Sequence, residues 1–223
     1  MFFSICVAIG FLITIPAYAG NIPVYQYVGV GIYFVCAILL ASIYSYNLNV
    51  VRRIQYIKEN QLEIMSVTDS LTNIYNRQMF DRTFEKWIQA ADSNGSSFSI
   101  IMFDLDNFKM LNDSLGHLTG DRVLIDCVEI VRSNLREGDI FARWGGEEFM
   151  VLLPRSDLRQ ASDVAERLRA AIEVYFNAKN IQITASFGAT QFRQGDTTDS
   201  IIMRVDDNLY SAKEAGKNTV CAG

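Results

Sequence analysis

The chain has 223 residues, half of them hydrophobic, and a net charge of −5 at neutral pH. All the charged residues follow residue 51, so an apolar head precedes an acidic body, which excludes the basic stripe typical of a protein that binds a nucleic-acid polymer. The 4 cysteines are scattered without paired spacing. This pattern excludes a zinc site and predicts buried free thiols rather than a disulfide framework.

Two strongly apolar stretches, residues 2–19 and 24–46, form the head and are separated by only four residues. Each is close to the ~20 residues with which a helix crosses a bilayer, so residues 1–46 are predicted to form a transmembrane hairpin. The alternative for residues 1–19 is a signal peptide, because Ala17-Tyr18-Ala19 resembles a cleavage site. The first residues lack the positive charge usual in such peptides, which favours the membrane span.

Basic residues directly follow the second span. Arg52, Arg53 and Lys58 are expected on the cytoplasmic side by the positive-inside rule, which places the rest of the chain in the cytoplasm. Residues 47–68 are predicted to be a helical linker. The apolar seam of this linker has the four-three spacing of a parallel coiled coil, at Val50, Ile54, Ile57, Gln61 and Ile64. Two heptads are few, and a helix that packs against its own domain is the alternative.

The globular body, residues 69–223, opens with a helix predicted over residues 71–92. The apolar residues of this helix share one face: Phe80, Phe84, Trp87, Ile88 and Ala91. Residues 94–97 (Asn-Gly-Ser-Ser) are predicted to form the loop that follows.

Residues 100–106 predict a buried central strand, because a short apolar run ends here in acids. The C-terminal end of this strand would bring Asp104 and Asp106 to a surface cleft. Ligands of α/β proteins bind at this end of the strands. Asp106, at the end of the run, is interpreted as a solvated loop acid rather than a further ligand.

A β-hairpin is predicted over residues 139–154, with extended runs on either side of Gly145-Gly146-Glu147-Glu148. Gly145 and Gly146 suit a two-residue turn, because both can take φ > 0, and they let a large ligand approach the backbone. Adjacent Glu147 and Glu148 at a strand end cost free energy unless a cation or a ligand hydroxyl uses them.

The remaining elements alternate helices with strands. Apolar residues at helical spacing predict helices over residues 124–135, 161–175 and 201–212, the last closed near Gly216. Strands are predicted over residues 181–192 and 218–221. This alternation around a central hairpin predicts an α+β fold with a sheet covered by helices.

Two acidic strand ends, one with Asp104 and one with Glu147 and Glu148, are expected to share a site. Hard oxygen ligands from neighbouring strands suit a Mg²⁺ ion that also binds substrate phosphates. The residues alone therefore predict a Mg²⁺-dependent phosphoryl- or nucleotidyl-transfer site.

Six separated motifs carry a resemblance to a known family; they occupy residues 69–77, 103–109, 112–121, 143–149, 186–188 and 212–218. In this order they resemble the GGDEF family of diguanylate cyclases, which join two GTP molecules into cyclic di-GMP. The resemblance implies a palm-like, ferredoxin-related sheet covered by helices. Asn73 stands where the family commonly has glycine, but asparagine tolerates a left-handed backbone better than most residues, so the turn is expected to survive.

The resemblance also implies roles at the acidic site. Asp104, the carbonyl of Leu105 and Glu147 would hold Mg²⁺ or Mn²⁺, with Glu148 as a further carboxylate at the metal. Glu147 and Glu148 would be the catalytic carboxylates, and Glu147 would also accept the proton of the attacking 3′-hydroxyl.

Asn112 and Asp121 match the residues with which the family reads guanine. A carboxylate accepts from the N1–H and the exocyclic amine of guanine while an amide meets its other edge, a pairing that adenine cannot satisfy. The remaining GTP contacts implied are His117 beside the base, Gly145 and Gly146 at the turn, and the cations Lys109, Lys213 and Lys217 near the triphosphate.

Arg136 and Asp139 lie at the spacing of the family's inhibitory RxxD site, and Arg167 matches a second arginine of that site. The resemblance implies that cyclic di-GMP binds there and cross-links domains in a pairing that keeps their GTP sites apart. Taken alone, an arginine and an aspartate at i and i+3 are more typical of a surface ion pair, worth under about 1 kcal/mol.

The leading hypothesis is a diguanylate cyclase anchored by several spans in the bacterial inner membrane, with residues 69–223 in the cytoplasm. One domain would hold one GTP, so synthesis of cyclic di-GMP and two pyrophosphates would need a homodimer. The competing hypothesis is a non-catalytic receptor that binds GTP or cyclic di-GMP and signals by contact. All the acids and glycines of the predicted site are present, which favours catalysis.

Overall fold

The structure is a computed structural model that describes residues 24–65 and 67–223, and the chain divides into two compact units, Met1–Glu63 and Ile64–Gly223. Helix α1 spans Val24–Met65 and includes the second apolar stretch and most of the predicted linker helix, whose predicted end at residue 68 lies beyond the end of α1. Its segment Gly31–Tyr56, with a mean hydropathy of 1.7, is the one helical stretch of the described residues long and apolar enough to cross a membrane. The predicted span over residues 2–19 lies outside the described residues, so one candidate span stands where two were expected.

A six-stranded sheet forms the centre of the second unit. Its strands are β1 (Tyr75–Asn76), β2 (Phe98–Asp106), β3 (Ile140–Gly145), β4 (Glu148–Pro154), β5 (Thr184–Gln191) and β6 (Val220–Ala222). In space the order is β1-β3-β4-β2-β5-β6. The four inner strands pair antiparallel, whereas β1 and β6 join the edges in parallel.

Five helices of the described residues surround this sheet: α2 (Arg77–Asn94), α3 (Phe108–Leu115), α4 (His117–Asn134), α5 (Leu158–Ala178) and α6 (Thr198–Glu214). Helices α4 and α5 cover one face, and α2 and α6 cover the other. The order strand, helices, strand, strand, helix, strand from β2 to β5 is that of a ferredoxin-like fold. The predicted α+β sheet covered by helices is therefore confirmed.

Strand β2 is the centre of the core, and all nine of its residues are buried. Successive side chains of a strand point to opposite faces, so Phe103 packs towards α4 and α5 while Met102 packs towards α2 and α6. The Phe103 ring stacks between Phe149 and Phe187, with centroids 5.0 and 4.8 Å away. The predicted buried central strand is confirmed.

The segment before α2 contains a turn at residues 70–72 and then β1, rather than the start of a helix. The Asp69 carboxylate accepts hydrogen bonds from the backbone N–H and the hydroxyl of Thr72, and the Asn76 side chain caps α2 by accepting from the N–H of Met79. The prediction of a helix from residue 71 is wrong, because these local side-chain bonds compete with a helical backbone. Asn73 takes φ 56°, the left-handed conformation expected for it.

Candidate functional site

The carboxylate of Asp104 lies near the C-terminal end of the central strand β2. Asp104 is 9% exposed and is the register partner of Glu148 on β4 and of Ser186 on β5. Its Oδ1 lies 3.1 Å from Nζ of Lys213 on α6. Burial raises the pKa of Asp104 to about 6, Lys213 opposes this increase, and the charges of Glu147 and Glu148 add to it.

The hairpin turn consists of Gly146 and Glu147, because Gly145 pairs with Glu148 across the two strands. A bulge between Arg143 and Gly145 displaces the turn by one residue from the predicted Gly145-Gly146. Gly146 takes φ 47°, a left-handed conformation that favours glycine at this position of the turn. The carbonyl of Glu147 accepts from the N–H of Leu105 at 3.3 Å, which ties the turn to β2.

Arg143 holds this turn in place. Its Nε and Nη2 donate to the carbonyl of Gly146 at 2.9 and 2.7 Å, and its Nη1 donates to Asp69 Oδ1 at 3.0 Å. No local sequence pattern predicts the Asp69–Arg143 pair, because its members lie 74 residues apart. Through this pair, the segment that follows the linker helix is bonded to the hairpin turn of the candidate site.

The oxygen donors near Asp104 have the chemistry of a magnesium site. Within residues 24–65 and 67–223, no three His, Cys, Asp or Glu side chains converge as ligands, and the Asp104 carboxylate is bonded to Lys213. The charges of Glu147 and Glu148 nevertheless lie close enough to Asp104 to raise its pKa further. A hard divalent cation would relieve this repulsion, so the donor set fits Mg²⁺ or Mn²⁺.

Asp106 is not the solvated loop acid that the sequence suggested. It is 2% exposed and lies on the same face of β2 as Asp104. Its carboxylate accepts from the hydroxyls of Thr184 and Ser186 at 2.7 Å and from the N–H of Asn218 at 3.0 Å. That interpretation is wrong because the donors come from β5 and from the loop after α6, which are distant in sequence.

The lysines predicted near the triphosphate differ in their surroundings. Lys213 contacts Asp104, and Lys217 Nζ donates to Asn107 Oδ1 at 2.6 Å. Lys109 is exposed on α3. Two of the three cations therefore lie at the end of β2.

The predicted guanine pocket lies where α3 meets α4. The carbonyl oxygen of the Asn112 side chain is buried and has no hydrogen-bond partner in the described residues. A methyl group at Gly120 would overlap this oxygen, so a larger residue there would displace the Asn112 side chain. Asp121 is half-buried beside Gly120, and His117 is exposed at the start of α4.

Arg136 and Asp139 form a tight turn rather than a side-chain ion pair. Asp139 Oδ2 accepts from the backbone N–H of Arg136 at 2.9 Å, and the N–H of Asp139 donates back to the carbonyl of Arg136. Arg167 Nη2 donates to the carbonyl of Asn134 at 3.0 Å, close to this turn. A cavity of about 500 Å³ adjoins it, lined in part by Arg132, Arg136 and Asp139.

Residues 66–219 match the family model of the GGDEF domain of diguanylate cyclases. This chain belongs to the GGDEF family. Similar curated proteins include the diguanylate cyclases DgcP of Pseudomonas aeruginosa, DgcM of Escherichia coli K12 and VdcA of Vibrio cholerae, at 38%, 36% and 40% identity. The matches cover 69%, 74% and 68% of this chain but 23%, 40% and 45% of those relatives. The chain thus spans less than half the length of these GGDEF relatives.

Solved GGDEF structures resemble the second unit. One is the GGDEF domain of DgcB from Caulobacter crescentus in complex with cyclic di-GMP, with a TM-score of 0.65 and 30% identity over 70% of this chain and 95% of that one. Another is the active GGEEF domain of a diguanylate cyclase from Vibrio cholerae, with a TM-score of 0.61 and 31% identity over 66% of this chain and 96% of that one.

Proposed function

We propose that this chain is a diguanylate cyclase that condenses two GTP molecules into cyclic di-GMP and releases two pyrophosphates. The observation that carries the proposal is the pairing of Asp104 with Glu148 beside the Gly146-Glu147 turn, with Lys213 bonded to Asp104. Family membership and the named cyclases among its relatives support the same reaction.

The reaction proceeds twice per product. The 3′-hydroxyl oxygen of one GTP attacks the α-phosphorus of the other, an O–P bond forms, and the bond to the bridging oxygen of pyrophosphate breaks. Glu147 accepts the hydroxyl proton, and Lys213 and Lys217 compensate the charge of the triphosphate. Asn112 and Asp121 orient the guanine, with His117 beside it, while Gly145 and Gly146 let the nucleotide approach the backbone.

Asp104, the carbonyl of Leu105, Glu147 and Glu148 would hold Mg²⁺ or Mn²⁺. When bound, the cation would lower the pKa of the attacking hydroxyl and stabilise charge on the phosphate oxygens.

The direct test is incubation of the purified chain with GTP and Mg²⁺, followed by identification of the product by mass spectrometry. Cyclic di-GMP is expected from GTP and no cyclic dinucleotide from ATP. Binding of GTP without turnover would instead support a non-catalytic receptor.

We further propose that synthesis requires a homodimer and is inhibited by its product. One domain holds one GTP, so two domains must face each other, and the linker helix within α1 would pair them as a coiled coil. Arg136, Asp139 and Arg167 would bind cyclic di-GMP. Two observations support this assignment. A cavity adjoins Arg136, and the guanidinium of Arg167 lies near the same turn.

The apolar head would anchor the chain in the bacterial inner membrane, with residues 69–223 in the cytoplasm. The candidate span Gly31–Tyr56 supports one crossing, and residues 2–19 would make the other. Arg52 and Arg53 would lie at the cytoplasmic end of the span Gly31–Tyr56. Fractionation of cells that express the full chain, with protease added from the periplasmic side, would test both statements.

A further inference from the structure

Asp106 is a buried charge to which the proposed reaction assigns no role. It is 2% exposed, and its hydrogen bonds in the described part of the chain come from neutral donors, the hydroxyls of Thr184 and Ser186 and the N–H of Asn218. Burying a carboxylate without a paired cation is costly, whereas neutral residues could close the end of a strand at lower cost. A carboxylate at this position therefore indicates that the groups bonded to Asp106 need to be held in place.

One of the three donors belongs to a loop with an unusual backbone. Gly216, Lys217 and Asn218 have φ of 112°, 66° and 46°. A left-handed conformation is strained for a non-glycine residue, and it persists only where its surroundings hold it.

Asn218 supplies those surroundings through three groups. Its N–H donates to Asp106, its Oδ1 accepts from Arg169 Nη1 at 2.8 Å, and its Nδ2 donates to Glu173 Oε1 at 2.9 Å. The loop is thus fastened to β2 through Asp106 and to α5 through the Asn218 side chain.

This fastening determines where Lys217 lies. Lys217 precedes Asn218, and its Nζ reaches Asn107, the residue that directly follows Asp106. Asn107 is itself left-handed, with φ 59°, at the start of α3. Lys213, at the end of the preceding helix, contacts Asp104. Both ammonium groups therefore lie over the end of β2, Lys213 on α6 and Lys217 on the loop anchored on Asp106.

We propose that Asp106 is a positioning residue for GTP: through Asn218 it fixes the left-handed loop and so sets the Lys217 ammonium against the triphosphate. The inference rests on the proposed function, because it takes the triphosphate of GTP as the ligand of Lys217. It adds Asp106 and Asn218, which contact no substrate themselves, to the residues that determine GTP affinity.

The test is a double-mutant cycle on the full chain, with calorimetric titration of the unreactive α,β-methylene analogue of GTP in the presence of Mg²⁺. Asp106→Asn keeps the volume of the side chain and removes its charge, so the analogue should bind about 10-fold more weakly. Lys217→Met should weaken binding similarly. In the Lys217→Met background, Asp106→Asn should have little further effect, because the charge acts through that lysine.

A second variant keeps the test valid if Asp106→Asn folds poorly. Asn218→Gly accepts the left-handed backbone but removes the ties to Arg169 and Glu173, and should weaken analogue binding in the same Lys217-dependent way. Ser99→Ala is the matched control, because Ser99 is buried at the other end of β2 and donates to the carbonyl of Ser156. It should lower the melting temperature without changing analogue affinity.

In turnover of GTP, Asp106→Asn should raise KM with little change in kcat. The positioning role is overturned if Asp106→Asn binds the analogue as tightly as the parent, or loses the same affinity with and without Lys217. A parent chain that neither binds the analogue nor makes cyclic di-GMP overturns the proposed function instead. The two failures are distinguishable, because the first leaves binding by the parent intact.

Discussion

Glu147 is attached to the sheet by its backbone rather than by its carboxylate. Its carbonyl accepts from Leu105, and its side chain is half-exposed at the turn. Glu147→Gln therefore removes a charge from the site without removing a core contact. We predict a fall in kcat of roughly 10²- to 10⁴-fold with GTP, as expected for loss of a general base, and an unchanged melting temperature.

The control for this substitution is Glu85→Gln on the exposed side of α2, which should leave both activity and melting temperature unaltered. Normal turnover by folded Glu147→Gln protein would contradict the role assigned to Glu147.

Asp69 links the stability of the second unit to pH. Burial raises the pKa of Asp69, but hydrogen bonds from Thr72 and Arg143 outweigh it and hold this pKa below its ordinary value. A carboxyl with a depressed pKa in the folded state stabilises the fold above its unfolded pKa, and this contribution is lost as the pH falls through the folded pKa.

The free energy of unfolding of Asp69→Asn should therefore be about 1 kcal/mol below that of the parent near pH 7, and the difference should shrink below about pH 4. Urea unfolding at several pH values measures this difference in the free energy of unfolding. Asp163→Asn, at an exposed position, is the control. A difference that grows on acidification would show that the carboxylate is not stabilised by these bonds.

At the scale of elements, the chain contains two turns of the same kind, Arg-Glu-Gly-Asp at residues 136–139 and Arg-Gln-Gly-Asp at 193–196. In each, the aspartate accepts from the backbone N–H of the arginine. They differ in that Asp196 also forms an ion pair with Arg204 at 2.7 Å. The second turn is therefore a matched control for the first.

Arg136→Ala keeps the backbone N–H that Asp139 accepts from, so the turn should persist while the guanidinium is lost. We predict weaker binding of cyclic di-GMP by about 10-fold or more, higher accumulation of product and little change in initial rate. Arg193→Ala should change none of these. If Arg136→Ala binds cyclic di-GMP like the parent and stalls at the same product level, these residues do not form an inhibitory site.

How well an element could be predicted depended on the range of the interactions that define it. Helices α4, α5 and α6 follow from apolar side chains at helical spacing, and β2 from its apolar run. The pair Asp69 and Arg143 joins residues 74 apart, and the donors to Asp106 lie 78 to 112 residues away. Such bonds leave no local pattern. The bulge after Arg143 likewise comes from strand pairing, which explains the one-residue error in the turn.

At the scale of the whole molecule, Ile64–Gly223 forms a compact unit of its own. If each product needs two facing domains, the specific activity of residues 64–223 should rise with enzyme concentration as monomers pair. We predict a clear rise over a hundred-fold concentration range, measured as the initial rate together with mass by light scattering. A constant specific activity in a monomeric sample would contradict the facing-dimer mechanism.

The central claim is that the site formed by β2 and the hairpin joins two GTP molecules. The most direct measurement is quantification of cyclic di-GMP and pyrophosphate from GTP and Mg²⁺, for the parent chain and for Asp104→Asn. The parent should form two pyrophosphates for each cyclic di-GMP, and Asp104→Asn should form neither above background. Pyrophosphate release without cyclic di-GMP, or equal synthesis by Asp104→Asn, would contradict the account.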